Sequence, residues 1–361
     1  MERDALPLPP SWEQALNTPL AQTRVDELPS ILTLYPARVA SAMRTAALAP
    51  RSMTGRMSGY HMGWLDETGH ERRSVTGKLI RPSLCLWACD ACGGDTENAL
   101  AAATALEWVH NFTLVHDDIQ DGDRDRHGRP TLWTLWGVAQ GINAGDALHA
   151  LAFRVLTESG ADPERTLRAV RALSTATLEV VEGQCLDLAL EGRVQVPVHG
   201  YLRMVRAKTG ALLGAALEIG ALIAGASPAT ARRYRRAGYL LGLAFQMRDD
   251  WLGTWGDSAI TGKSSAGDIG RRKASFALVA AYHALPPHEQ RRLLDAFAQR
   301  TDEATREIRV LLEDAGGAEL TRTAPLRFAE KAVAVIASCD VPAQSLTAFR
   351  EMAGYVASRS H

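Results

Sequence analysis

The sequence predicts an all-α protein, a single bundle of about ten or more helices, and three observations predict it. Apolar, alanine-rich stretches with helical spacing recur from residue 82 to residue 358, separated by short Gly, Pro, Asp or Ser breaks. Alternating runs of Val, Ile and Thr are scarce, so no sheet is needed. Two apolar runs, 101–115 and 237–245, close on paired acids: His116-Asp117-Asp118-Ile119-Gln120-Asp121 and Gln246-Met247-Arg248-Asp249-Asp250. No polar linker divides the chain, so residues 18–361 are expected to form one domain behind a loose arm at 1–17.

In order along the chain, Pro7, Pro9 and Pro10 prevent regular structure in the arm. Residues 24–48 read as helix interrupted near Pro29 and Pro36. Segment 53–76 is rich in glycine (Gly55, Gly59, Gly63, Gly69), methionine and charge, and reads as a long loop, either a lid or an inert insertion. Helices then follow over 82–91, 96–121, 132–159, 163–190, 201–224, 228–252, 273–284, 287–315, 320–338 and 344–358.

Bulk properties exclude more than they assign. With 46% apolar and 22% charged residues the composition is that of an ordinary globular protein. A net charge of −1 gives no electrostatic reason to expect nucleic acid. No eighteen-residue apolar run is uninterrupted, the nearest (211–226) carrying Glu218, so no membrane span is expected. Met1-Glu2-Arg3-Asp4 is unlike a secretory signal, and a cytoplasmic setting is expected. Cys89 and Cys92 form a CxxC with Cys85 one turn earlier. Cys185 and Cys339 supply no second pair for zinc, so these thiols read as buried small hydrophobes.

The acid-tipped runs carry the chemistry. A helix sets Asp117 and Asp121 on one face, with Asp118 about 100° round the axis. Like carboxylates one turn apart repel, and hard oxygen ligands on one side suit Mg²⁺ bridging to a phosphate. Taken alone, the motif reads more readily as a solvated acidic helix end. A second such end at Asp249-Asp250, with Arg124, Arg126 and Arg129 after the first motif and Lys263 and Lys273 after the second, makes coincidence the weaker reading. Lys78 and Arg81, in Gly77-Lys78-Leu79-Ile80-Arg81-Pro82, open a helix, where backbone N–H groups also attract anions.

GKxxRP, then ExxH, DDxxD followed by RxG, GQxxD, KTG, FQxxDD and GKxxxxD occur in that order between Gly77 and Lys273. The array resembles the trans-type isoprenyl (polyprenyl) diphosphate synthases. The resemblance implies the isoprenoid synthase fold, with helices around a central apolar cavity, and a homodimer. It implies a Mg²⁺-dependent prenyltransferase that joins isopentenyl diphosphate to an allylic diphosphate. Three Mg²⁺ ions are implied: two on Asp117 and Asp121 with Asp118 in support, and a third on Asp249 with Asp250 behind it. Gln184 and Asp187 would border the cluster. Arg126, Lys208 and Lys263 would clamp the allylic diphosphate, Thr209 and Gln246 would hydrogen-bond it, and Lys273 would also lie on the substrate side. Isopentenyl diphosphate would rest on Lys78, Arg81 and His110. By its own chemistry His110 is more often a satisfied core histidine.

Three departures from the family pattern stand out. Leu79 replaces a frequent basic residue, His127 replaces the second arginine after DDxxD, and Gly253 stands where a third aspartate is common. Histidine can donate hydrogen bonds but is not a guanidinium fork, so the isopentenyl side is thinned. Phe112 lies five residues before Asp117, about 7.5 Å deeper along the helix. Its ring can floor the tail channel, which in the family resembles geranylgeranyl diphosphate synthases, or it can be plain core. Two rivals share the scaffold: a class I terpene cyclase, and a non-catalytic subunit that binds prenyl diphosphates.

Overall fold

A computed structural model describes residues 28–72, 77–256 and 267–360. The expected arm at 1–17 and Lys263 lie outside these residues. The fold is all-α. The sequence-based reading of 24–48 resolves, within the described residues, into α1 (Ser30–Leu34) and α2 (Pro36–Ala46), the second opened by Pro36 at its first turn.

Segment 53–76 is not a plain loop. Met53–His61 forms α3, capped by Ser52, whose hydroxyl accepts from Gly55 N at 3.0 Å. Its glycines are contact points: a Cβ on Gly59 would lie 2.7 Å from a Leu65 methyl. The glycines that suggested a loop let the following turn fold against the helix.

The central helices follow. They are α4 (Ile80–Ala91), α5 (Thr96–Gln120), α6 (Leu132–Trp136), α7 (Val138–Thr157), α8 (Pro163–Leu190) and α9 (Val198–Val205), then α10 (Ala211–Ala224) and α11 (Pro228–Trp255). Three expectations need correction here. A two-stranded ribbon, Asp125–Arg126 against Arg129–Pro130, sits after α5. Gly137, at φ 84°, splits the run expected over 132–159. Arg206–Gly210 is a π-helical turn rather than regular helix.

The chain closes with α12 (Gly267–Gly270), α13 (Phe276–Ala284), α14 (Pro287–Ala298), α15 (Asp302–Asp314), α16 (Gly317–Ala337) and α17 (Ala343–Ser358). The stretch expected as one helix over 287–315 breaks between α14 and α15, where the Thr301 hydroxyl caps Ala304 N at 3.1 Å.

α10 is the centre. It packs against α4, α8 and α11, and its residues are buried on every side except near Glu218 and Ala224. Each Leu or Ile so removed from water contributes roughly 1.5–3 kcal/mol, which makes this apolar helix a core strut. The stretch 198–224 is long and apolar enough to cross a membrane by composition, but 83% of its window is buried inside the protein. α5 lies against α4 and α7, and α11 against α10 and α16. α5 and α11 thereby bring their acidic C-terminal ends to one end of the bundle.

Candidate active site

The first acidic motif closes α5 as its spacing predicts. Asp121 caps the helix, its N–H donating to Asp117 O at 2.8 Å, so the two side chains leave one face a turn apart. Burial, reinforced by nearby Asp121 and Asp187, outweighs Lys208 and pushes the Asp117 carboxyl up to about 6. Asp118 points elsewhere. It is 2% exposed and accepts from Arg126 Nε at 2.8 Å and Nη2 at 2.7 Å.

The second motif closes α11 with a similar division of labour. Asp249 keeps 38% of its side chain exposed and pairs with Arg359, a residue absent from the sequence-based reading. Asp250 is buried and fully engaged, accepting from Tyr201 Oη at 2.5 Å, Phe276 N at 2.6 Å and Gln246 Nε2 at 3.0 Å. Gln246 in turn accepts from the Thr209 hydroxyl at 2.9 Å.

Lysines join the two ends. Lys273 Nζ donates to Asp121 at 2.8 Å, and Lys208 Nζ to Asp187 at 2.5 Å. Asp187, Lys208, Asp249 and Lys273 line one cleft of about 240 Å³, with Thr209 and Gln246 in its wall. Asp121 thus reaches, through Lys273, the cleft that Asp249 borders. Lys208 and Thr209 belong to the π-helical turn, a feature common at functional sites. That turn lies backbone to backbone on α8, since a Cβ on Gly183 would fall 2.2 Å from Lys208 N. Gln184 beside it donates to Gln120 at 2.9 Å.

The predicted isopentenyl side forms a second basic group. Lys78 lies over the Tyr355 ring at 5.5 Å. Leu79, in the left-handed region at φ 48°, turns into the core at 5% exposure, which explains an apolar residue at that position. Burial lowers the Arg81 pKa against the pull of Glu107 and Asp249, and its Nε is buried with no partner among the described residues. His110 is held well below the ordinary histidine value by burial, with Arg81, Arg126 and His61 adding to the effect. His127 occupies the ribbon's turn at φ 51°, followed by Gly128 at 72°, and imidazole is among the side chains that tolerate this region.

His61 and Asn111 of this group escaped sequence reasoning, and Glu107 entered it only as the first residue of ExxH. His61 of α3 bonds Asn111 at 3.1 Å, Asn111 bonds the buried Glu107 at 3.3 Å, and burial pushes the His61 pKa down to about 4. Arg129 stacks on Tyr60 at 3.9 Å and donates to Tyr60 O and Leu65 O, clasping the ribbon to α3. The signal available for Glu107 was an acid inside an apolar run. His61 and Arg359 carried none, because they arrive from segments distant in sequence. The Phe112 ring meets His116 edge-on and His149 at a tilt, both at 5.0 Å, and His149 lies 5.1 Å from Phe153.

Among the described residues no three acidic, histidine or cysteine side chains converge as a preformed metal cage. Mg²⁺ typically takes one or two carboxylates and completes its shell with water and phosphate oxygens. The buried, undercompensated Asp117 beside Asp121 and Asp187 fits that donor set.

Residues 62–314 match the family described as Polyprenyl synthetase. The geranylgeranyl diphosphate synthase of Mycobacterium tuberculosis is 42% identical over 282 residues, 78% of this chain and 80% of that one. The (2E,6E)-farnesyl diphosphate synthase of Mycobacterium bovis is 37% identical over 305 residues, 83% of this chain and 84% of that one. A polyprenyl synthetase structure from Streptomyces coelicolor superposes with a TM-score of 0.83 at 37% identity, covering 91% of this chain and 98% of that one. That of a Caulobacter crescentus polyprenyl synthase, complexed with calcium and isoprenyl diphosphate, gives 0.82 at 28% identity, covering 95% and 100%.

Proposed function

The chain belongs to the polyprenyl synthetase family and is a prenyltransferase making a short-chain prenyl diphosphate; we propose that it joins isopentenyl diphosphate to an allylic diphosphate to give geranylgeranyl diphosphate. One observation supports the residue-level reading: Lys273, which holds Asp121 at the end of α5, lines the same cleft as Asp249 and Asp250 at the end of α11.

In this reading Asp117, Asp121 and Asp249 hold three Mg²⁺ ions, with Asp187 at the border of the cluster. Asp118 and Asp250 brace Arg126 and the Gln246–Thr209 pair instead of ligating. When bound, Mg²⁺ supplies Lewis acidity that neutralises the departing diphosphate. Lys208 and Lys273 shift from Asp187 and Asp121 to diphosphate oxygens, with Arg126 and Lys263 completing the clamp. Thr209 and Gln246 fix its orientation as hydrogen-bond partners.

Lys78, Arg81 and His110 hold isopentenyl diphosphate, His127 contributing less than the arginine it replaces. The allylic C–O bond breaks, the isopentenyl double bond attacks the resulting cation, and the released proton passes to the pyrophosphate. The protein contributes positioning, preorganised charge and exclusion of water. A floor of Phe112, His149 and Phe153 sets the chain length. The M. tuberculosis relative named as a geranylgeranyl diphosphate synthase supports the twenty-carbon product, and the bound calcium and isoprenyl diphosphate of the C. crescentus protein support the substrate class.

The proposal includes residues 18–361 acting as one domain, a homodimer, and a cytoplasmic setting in keeping with free thiols. The test is labelled isopentenyl diphosphate incubated with dimethylallyl, geranyl and farnesyl diphosphates in turn. Incorporation into a twenty-carbon product is expected. No incorporation, with hydrocarbon or terpene alcohol formed from geranylgeranyl diphosphate alone, would replace the synthase with a cyclase.

A further inference from the structure

The chain beyond α17 reaches back to Asp249, which borders the cleft. Arg248 donates from Nε to Arg359 O at 2.7 Å and from Nη2 to Ser358 O at 3.2 Å. The residue next to Asp249 therefore pins the main chain that carries Arg359. This brings the Arg359 guanidinium, 5% exposed, over the Phe245 ring at 3.9 Å and into its ion pair with Asp249.

The pair is poorly settled on the arginine's side. Arg359 Nη1 is buried with no hydrogen-bond partner among the described residues, and so is Arg81 Nε. Arg81 and Arg248 both feel Arg359 as a like charge. Asp249, by contrast, stays more than a third exposed at the edge of the cleft. A guanidinium among like charges, holding a carboxylate that opens onto a cleft, is a counter-ion that a divalent cation can displace.

We propose that Arg359 is a stand-in cation: it neutralises Asp249 in the ligand-free protein and is displaced when a divalent cation takes that carboxylate. Metal at Asp249 and docking of the Arg359 side chain then exclude one another. Arg359 is in this sense a positioning residue for the second acidic motif, and the inference rests on the metal role proposed above for Asp249.

Mn²⁺ titrated alone into the full chain, with free ion followed by electron paramagnetic resonance, reads this competition without turnover. Arg359→Met keeps the stem on Phe245 and removes the charge. It is expected to bind Mn²⁺ about fivefold tighter than the unaltered protein, the scale of one partly exposed ion pair. Arg359→Lys should stay near the unaltered value, and adding Asp249→Asn to Arg359→Met should remove the gain.

Equal or weaker binding by a natively folded Arg359→Met protein, or a gain that survives Asp249→Asn, overturns the proposal. Should Arg359→Met fail to fold, Arg248→Met unpins the same main chain with Arg359 intact. It too should bind Mn²⁺ more tightly, and an unchanged affinity overturns the proposal equally. A parallel titration of the unaltered protein with Mn²⁺ and inorganic pyrophosphate separates the two readings. Absence of any joint binding there removes the metal–diphosphate reading itself, whereas joint binding without a gain in the variants removes only the Arg359 exchange.

Discussion

At the scale of single residues the site is a set of carboxylates whose countercharges are borrowed. Lys273 holds Asp121, Lys208 holds Asp187 and Arg359 holds Asp249, while Asp117 is left with burial working against its charge. A raised carboxyl pKa means that the folded protein binds this proton more tightly than the unfolded chain does. The contribution to stability is therefore present at low pH and is lost as pH rises from the unfolded value of 3.8 through about 6. Metal must displace the same proton. Mg²⁺ affinity should accordingly fall, by about tenfold per pH unit below the Asp117 pKa, and titrations at pH 5 and pH 7.5 with Asp117→Asn as control measure it. Asp117→Asn itself should lower turnover by about a thousandfold or more, since metal polarisation is worth several kcal/mol of transition-state energy. His127→Arg should lower the KM for isopentenyl diphosphate by restoring a guanidinium, at a cost of roughly 1 kcal/mol because the ribbon turn holds that residue at left-handed φ. An unchanged KM would mean that the turn does not face this substrate.

At the scale of elements, close backbone approach decides which side chains meet. The contact of α8 with the π-helical turn needs a glycine at 183, because any Cβ there collides with main chain rather than with a side chain that could move aside. Gly183→Ala should therefore cost about 1–3 kcal/mol of stability by overpacking. It should also raise the KM for the allylic diphosphate by shifting Lys208; a melting curve with steady-state kinetics reads both. The proposed channel floor is likewise a property of two helices. α5 contributes Phe112 and α7 contributes His149 and Phe153, their rings in contact in turn. Phe112→Ala should release some longer chains, and Phe112→Ala with Phe153→Ala should release more. A product spectrum unchanged in the double variant would place the floor elsewhere.

At the scale of the whole molecule, α8 presents a face that its own bundle leaves uncovered. Leu167 and Leu178 are 68% and 70% exposed, with Val181 and Leu188 along the same helix. Val138 and Ile142 are exposed on α7, which packs beside it. Large apolar side chains left in water along a 28-residue helix suit a second copy of the chain. In the proposed homodimer, Leu178→Glu should halve the mass seen in sedimentation while leaving the circular dichroism unchanged.

The sequence by itself determined the fold class, the family and the place of each acidic motif. These depend on local information: helical periodicity from 82 to 358, caps such as Asp162 and Ser227, and the one-turn spacing of Asp117 and Asp121. Tertiary structure alone decided which partner each aspartate takes. Neighbours in sequence part company there, Asp118 to Arg126 and Asp250 to Tyr201, because a helix points adjacent residues about 100° apart. Only packing showed that Gly55 and Gly59 belong to a helix, that α3 lends His61 to the basic group, and that Arg359 returns from beyond α17 to Asp249. Periodicity tells each side chain which face of its own helix it occupies, but not which distant segment will be pressed against that face.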